Sequence, residues 1–166
     1  MILVADRTVM PASPAQQPVA DAIRGDDRLS LIELRAEPAV LAPVRRALAE
    51  FLRQAGFPED RAHDVLLACY EAMANIVEHA YPSACDGTFD LSATYDRAGT
   101  LTVTITDRGE WKIDGPDPAS RRGRGLQLVR ACADRSEVVS GDAGTRVHLQ
   151  WLGAASSPEP YDEQGG

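Results

Sequence analysis

The chain has little cysteine and no cationic surplus. Its 17 lysines and arginines face 25 aspartates and glutamates, a formal net charge of −8. A surface of that sign cannot release counterions from nucleic-acid phosphates over a broad front. It is equally unsuited to docking on anionic membranes. The expected partners therefore include no direct nucleic acid and no membrane. The three cysteines, Cys69, Cys85 and Cys132, are odd in number and none has CxxC spacing. That argues against a disulfide framework and for reduced thiols in a cytosol. The opening Met1, Ile2, Leu3 and Val4 are interrupted by Asp6 and Arg7, too soon for a signal-peptide core, and no apolar run reaches membrane-spanning length. A cytoplasmic location is expected. No internal repeat is present.

What is there has the size and composition of one soluble domain: 166 residues, 44% apolar and 25% charged. Residues 1–27, with Pro11, Pro14, Pro18 and Gly25, lack sustained periodicity and read as a flexible tail. Residues 153–166, with Ser156, Ser157, Pro158, Pro160 and a final Gly-Gly, read the same way. Between them, residues 28–152 carry the core. Leu29, Leu31 and the stretch Ile32 to Leu34 suggest a strand. Leu41, Val44, Leu48, Phe51 and Leu52 recur at helical spacing up to Gly56, with Pro38 or Pro43 suited to the first turn. A second helix begins after Phe57-Pro58 with Glu59 and Asp60, and runs to about Tyr81, where Pro82 stops it.

The period then changes to two. Phe89, Leu91, Ala93 and Tyr95 alternate with polar residues, Arg97-Ala98-Gly99 turns the chain, and Leu101, Val103 and Ile105 alternate with threonines. A loop spans about Gly109 to Gly123. A helix with Leu126, Leu128, Val129 and Cys132 follows, then two strands around a turn at Gly141 to Gly144, with Val147, Leu149 and Trp151 on one face of the last. This order predicts an α+β two-layer sandwich, helices on one face of a mixed or antiparallel sheet.

Four features can carry chemistry. On the second helix, Val65, Cys69, Ala72, Met73, Ile76 and Ala80 form an apolar stripe, while Glu71, Asn75, Glu78 and His79 lie roughly opposite. A carboxylate one turn from an amide oxygen suits a hard cation that keeps waters and phosphates as its other ligands, and a glutamate there can accept a proton from a hydroxyl. An ordinary solvated face would look the same. Asp107-Arg108-Gly109 follows an alternating strand, so Asp107 can turn into a cavity and accept from an exocyclic amine, with Gly109 permitting close approach of a flat base. A plain turn is the alternative. Arg121-Arg122-Gly123-Arg124-Gly125-Leu126 leads into a helix, exposing backbone N–H groups and cation density to phosphate oxygens, or forming a charged loop. It lacks the third glycine of a dinucleotide fingerprint. Gly144-Thr145 opens the last strand, where the Thr145 hydroxyl can support Asp107, directly or through water, or merely follow a hairpin turn.

In order and separation these four features resemble the Bergerat-fold, GHKL-type ATPases, which include gyrase, mismatch-repair ATPases and histidine kinases. Glu71-x-x-x-Asn75-x-x-x-His79-Ala80-Tyr81 is similar to their N-box, Asp107-x-Gly109 to the G1 box, Gly123-Arg124-Gly125-Leu126 to the G2 box that closes the lid, and Gly144-Thr145 to the terminal Gly-Thr element. More narrowly, Glu71 to Tyr81 and Gly123 to Val129 resemble the anti-sigma factor serine kinases.

The resemblance implies ATP and Mg²⁺ as ligands, Glu71 as general base and Asn75 on the metal. It implies Asp107 on the adenine amine with Gly109 beneath the base, and Arg121, Arg122, Gly123, Arg124, Gly125 and Leu126 about the phosphates. His79 and Thr145 complete the set. It further implies a homodimer, a sequestered sigma factor, and a STAS-type anti-anti-sigma protein phosphorylated on Ser or Thr. The lid is short and Trp111 follows the G1 box closely. The competing readings are an ATP-binding interaction module without kinase activity, a detached histidine-kinase ATPase domain, and an acidic structural domain without nucleotide.

Overall fold

The computed structural model describes residues 23–25, 27–81, 86–109 and 124–153. The elements in chain order are β1 (Ile23–Gly25), β2 (Arg28–Arg35), α1 (Pro38–Gln54), α2 (Glu59–His79), β3 (Thr88–Tyr95), β4 (Leu101–Asp107), α3 (Arg124–Cys132), β5 (Arg135–Gly141) and β6 (Gly144–Trp151). The six strands form one sheet in the order β1-β2-β3-β4-β6-β5, with every pairing antiparallel. The expected α+β sandwich is present.

Helix α1 starts with Pro38 in its first turn, where a missing N–H costs no bond. Pro43 lies inside the helix rather than at its start. The helix ends as its sequence requires. Gly56 takes φ +70°, Phe57 N–H donates to the Leu52 carbonyl at 2.9 Å, and Gly56 N–H donates to the Arg53 carbonyl at 3.3 Å. These two bonds make a Schellman motif, and Phe57 and Leu52 are both buried, the apolar contact that accompanies it. The chain then turns directly into α2, whose first turn carries Glu59 and Asp60 at the positive end of the helix dipole.

The inward stripe of α2 is as its periodicity predicts. Val65, Cys69, Ala72, Met73 and Ile76 are buried against Val44, Leu48 and Phe51 of α1 and against Phe89, Leu91, Val103 and Ile105 of the sheet. Cys69 is enclosed enough that burial pushes its thiol up to about 12, which keeps it protonated and inert. At the far end Trp151 is buried, and its indole N–H donates to the Cys132 carbonyl at 2.7 Å. Arg61 of α2 reaches the Leu152 carbonyl at 2.6 Å and the Asp134 carboxylate at 2.5 Å, tying the start of α2 to the last strand.

Two local features depart from the sequence reading. Strand β1 lies within residues 1–27, expected to form a tail. Ile23, Arg24 and Gly25 pair with Ser30, Leu29 and Arg28 of β2. Three residues held by backbone bonds to a neighbour need no side-chain periodicity of their own, so no pattern announced them. Strand β2 also breaks between Leu31 and Leu34. Leu31 and Leu34 are three apart and would point to opposite faces of a regular strand, yet both are buried. A bulge at Glu33, whose φ is +53°, turns Leu34 back to the core and leaves Ile32 44% exposed.

Candidate functional site

The site residues converge along α2 and the strand ends beside it. Glu71 and Asn75 are half-buried on the side of α2 away from its apolar stripe. Gly125, the second residue of α3, lies over them. A Cβ on Gly125 would sit 3.2 Å from Asn75 Nδ2, 3.3 Å from Asn75 Oδ1 and 3.4 Å from a Glu71 carboxylate oxygen. Any larger residue would enter the space between the start of α3 and the polar face of α2. Asn75 Nδ2 is itself buried and has no hydrogen-bond partner among the described residues, a costly state for an amide.

The other half of the site is built at the ends of β4 and β6. Asp107 closes β4 on the inward row with Val103 and Ile105, and only 1% of it is exposed. Its Oδ1 accepts from Gly109 N–H at 2.8 Å, while Oδ2 is buried without a partner. Burial raises the Asp107 pKa above the usual carboxylate value, against the opposing pull of the Gly109 and Thr145 backbone N–H groups. The Thr145 backbone N–H lies on the Asp107 side of β6 and favours the ionised carboxylate. The Thr145 hydroxyl lies 3.2 Å from the Ser140 hydroxyl.

Two glycines let these pieces close on one another. Gly144 takes φ +114°, and a side chain there would strike the Asp107 carbonyl and Arg108. A side chain on Gly109 would strike the Ala80 carbonyl just past the end of α2. The missing side chain of Gly109 thus faces the helix end, and its first consequence is close packing of β4 on α2. The chain of contacts is continuous: start of α3, polar face of α2, end of α2, end of β4, start of β6.

His79 is the last residue of α2, and its Nε2 lies 3.6 Å from a Glu78 carboxylate oxygen. Glu78, to which the sequence assigns no role, is thereby its neighbour rather than a second site carboxylate. Leu126 packs against the core. Arg121, Arg122, Gly123 and Trp111, with the rest of the expected lid, lie outside the described residues, as does the side chain of Arg124. A separate groove of about 420 Å³ lies between α1 and α2, lined by Arg45, Arg46, His63, Leu66, Leu67 and Tyr70 among others. It shares no residue with the polar constellation.

Sequence reasoning missed two members of this region. Tyr81, quoted only as the end of a motif, donates its hydroxyl to the Thr88 carbonyl at 2.5 Å and accepts from Arg108 N–H at 3.0 Å. Asp90 accepts from the Arg108 guanidinium at 3.1 Å and from Glu33 N–H at 2.7 Å. Asp90 looks in sequence like any outward polar residue of an alternating strand, and its only signal is a carboxylate where its neighbours on that face are serine and threonine.

A family model described as the histidine kinase-like ATPase domain matches residues 34–151. Several solved structures resemble the chain, among them the three that follow. The RsbU and RsbW domains of Rv1364c from Mycobacterium tuberculosis match at 25% identity and TM-score 0.61, over 75% of this chain and 32% of that one. This chain therefore spans about a third of the mycobacterial one. The SiaB–SiaC complex from Pseudomonas aeruginosa matches at 15% identity and TM-score 0.54, over 74% of this chain and 88% of that one. The blue-light activated histidine kinase of Erythrobacter litoralis EL346 matches at 20% identity and TM-score 0.53, over 69% and 41%. The last two likenesses concern the fold alone.

Proposed function

This chain belongs to the histidine kinase-like ATPase domain family, and from that premise we propose that it binds Mg-ATP across the α2–β4–β6 constellation and phosphorylates a protein hydroxyl. The observation that carries this reading is a pair of buried polar atoms without protein partners, Asp107 Oδ2 and Asn75 Nδ2. One lies at the end of β4 and one on the polar face of α2. Buried polar groups are normally satisfied, and the exceptions mark places where a ligand completes the set. An exocyclic amine matches the acceptor at Asp107. A phosphate oxygen or a cation-bound water matches the donor at Asn75 Nδ2, while the Asn75 amide oxygen and the Glu71 carboxylate offer the oxygens a phosphate-bound cation takes.

In this reading Asp107 orients the base, held by the backbone N–H of Gly109. Asn75 offers its amide oxygen to Mg²⁺. Arg121, Arg122, Gly123, Arg124 and Gly125 neutralise and position the phosphates, as an electrostatic clamp on a transferring phosphoryl group requires. Mg-ATP, when bound, supplies an activated γ-phosphoryl group and neutralises the charge that develops on its oxygens. Glu71 takes the proton of the attacking serine or threonine hydroxyl. His79, at the end of α2, is taken from the motif as a further nucleotide-binding residue.

The wider role we propose is that of an anti-sigma factor. It would sequester a sigma factor as a homodimer and release it when a STAS-type anti-anti-sigma partner binds, a partner that it inactivates by phosphorylation. Support comes from the likeness of Glu71 to Tyr81 and of Gly123 to Val129 to the anti-sigma serine kinases, and from the RsbW domain in the mycobacterial structure.

The deciding experiment is a thermal melt of the purified protein with ATP, with and without Mg²⁺, beside Asn75→Ala. A ligand that binds only the folded state raises the midpoint by mass action. A Mg-dependent rise in wild type that Asn75→Ala loses is the expected result. No rise at millimolar Mg-ATP overturns the nucleotide reading.

A further inference from the structure

The β3–β4 ladder runs from Tyr95↔Leu101 to Phe89↔Asp107. The next rung in that register would join Thr88 to Arg108, and no such pairing forms. The Tyr81 hydroxyl stands between the two strands instead. Arg108 N–H donates to Tyr81 Oη at 3.0 Å, and Tyr81 Oη–H donates to the Thr88 carbonyl at 2.5 Å. Both geometries are those of well-formed hydrogen bonds. The phenol thus replaces one backbone rung with a two-bond bridge, which separates the strands by the width of an oxygen atom at the point where β4 ends.

The ring is given its place by a glycine. A Cβ on Gly87 would collide with several atoms of the Tyr81 ring, so the chain before β3 is bare where the phenol crosses it. Tyr81 is anchored from the other direction by α2, which ends two residues earlier at His79. One side chain therefore connects the end of the helix that carries Glu71 and Asn75 to the peptide between Asp107 and Gly109. That peptide matters because Gly109 N–H is the donor that holds Asp107 Oδ1, at 2.8 Å. A shift of the Arg108 amide moves the Gly109 amide next to it, and the Asp107 carboxylate turns with them.

We propose that Tyr81 is a positioning residue for base recognition. By splicing its hydroxyl into the ladder, it sets the turn Asp107-Arg108-Gly109 so that the unpartnered Asp107 Oδ2 faces the exocyclic amine of a 6-aminopurine. The inference rests on the nucleotide reading above and adds to it the group that fixes base selectivity. A buried acceptor aimed at one amine rejects a base lacking that amine more strongly than any gain in contact area can offset. That rejection depends on the aim.

The test compares Mg-ATP with Mg-ITP, the same nucleotide with a carbonyl in place of the 6-amine, by direct titration of the full chain. Wild type is expected to favour ATP. Tyr81→Phe keeps the ring and loses the bridge. It is expected to lower the ATP-to-ITP affinity ratio roughly three- to ten-fold, the scale of one hydrogen bond, with ITP affinity unchanged. A general loosening of the fold would weaken both nucleotides alike. Gly87→Ala keeps the hydroxyl but displaces the ring, and is expected to reduce the ratio in the same direction. Wild type that binds no ATP overturns the nucleotide reading and this inference together. Wild type that selects ATP beside an equally selective Tyr81→Phe overturns this inference alone.

Discussion

Gly125 lies against Asn75: a Cβ on the glycine would sit 3.2 Å from the amide nitrogen and 3.3 Å from the amide oxygen. The start of α3 and the polar face of α2 are therefore as close as two elements can be with a glycine between them. Gly125→Val would place two methyl groups in that space, where cation and phosphates are proposed to sit. The expected outcome is a loss of Mg-ATP affinity of tenfold or more, measured by titration calorimetry. The nucleotide-free fold should also lose some stability, because even the added Cβ crowds Asn75 and Glu71, so affinity is read on variant protein whose thermal melt shows it folded. Undiminished affinity would move the phosphates away from α3.

Asp107 is expected to trade stability for binding. Burial raises its pKa above the usual 3.8, so the ionised carboxylate is less at home in the fold than in the unfolded chain. That penalty is fully present above the raised pKa. It falls away as pH drops from there towards 3.8, because the folded state then takes up its proton first. Asp107→Asn keeps an oxygen for Gly109 N–H and removes the charge. At neutral pH it should raise the melting temperature of the free protein. The gain should shrink as the pH falls towards 3.8, and preference for adenine should be lost. A lower melting temperature at neutral pH would show that the charge is stabilising.

Glu71 is placed to act on the hydroxyl rather than to hold the nucleotide. Glu71→Ala should retain ATP binding within a few-fold while slowing phosphotransfer to a protein acceptor by roughly 10²–10⁴, the usual contribution of a positioned base. Single-turnover transfer of labelled phosphate separates the two effects. A near wild-type rate would remove Glu71 from the chemistry.

Away from the site, Arg61 bridges α2, the turn before β5 and the chain after β6 through Leu152 and Asp134. Asp134 also accepts from Leu152 N–H at 2.7 Å. Arg61→Ala should cost about 1 kcal/mol in urea unfolding, in the range for a partly exposed charge-assisted bond, with nucleotide binding unaffected. A cost of several kcal/mol would mean that these contacts hold the last strand in place.

The helices and the hairpin were legible because their burial is periodic. Val65, Cys69, Ala72, Met73 and Ile76 announce one face of α2, and Leu101, Val103 and Ile105 one face of β4. The resemblance of the segments holding Glu71, Asn75, Asp107, Gly125 and Thr145 to family motifs implies a shared site, and the fold brings the elements that carry them together. What escaped was held by the backbone or by contacts distant in sequence. Strand β1 is fixed by main-chain pairing to β2. The bulge at Glu33 is held by Asp90, 57 residues away. The donor on Asp107 is the Gly109 backbone N–H, a group that every residue except proline possesses and that a sequence therefore does not display. Tyr81 looked like the end of a helix because nothing local shows that a hydroxyl will stand in for a missing rung.

Helix α2 turns its apolar stripe to the core and presents Glu71 and Asn75 on the other side. Packing and chemistry therefore share a single rigid rod, with no hinge between them. A repacked Met73 or Ile76 would tilt the rod and carry Glu71 and Asn75 with it, so substitutions on opposite sides of α2 should show strong epistasis. Strand β5, at the sheet edge, has no such double duty. Mutational drift should be tolerated there long before it is tolerated anywhere along α2.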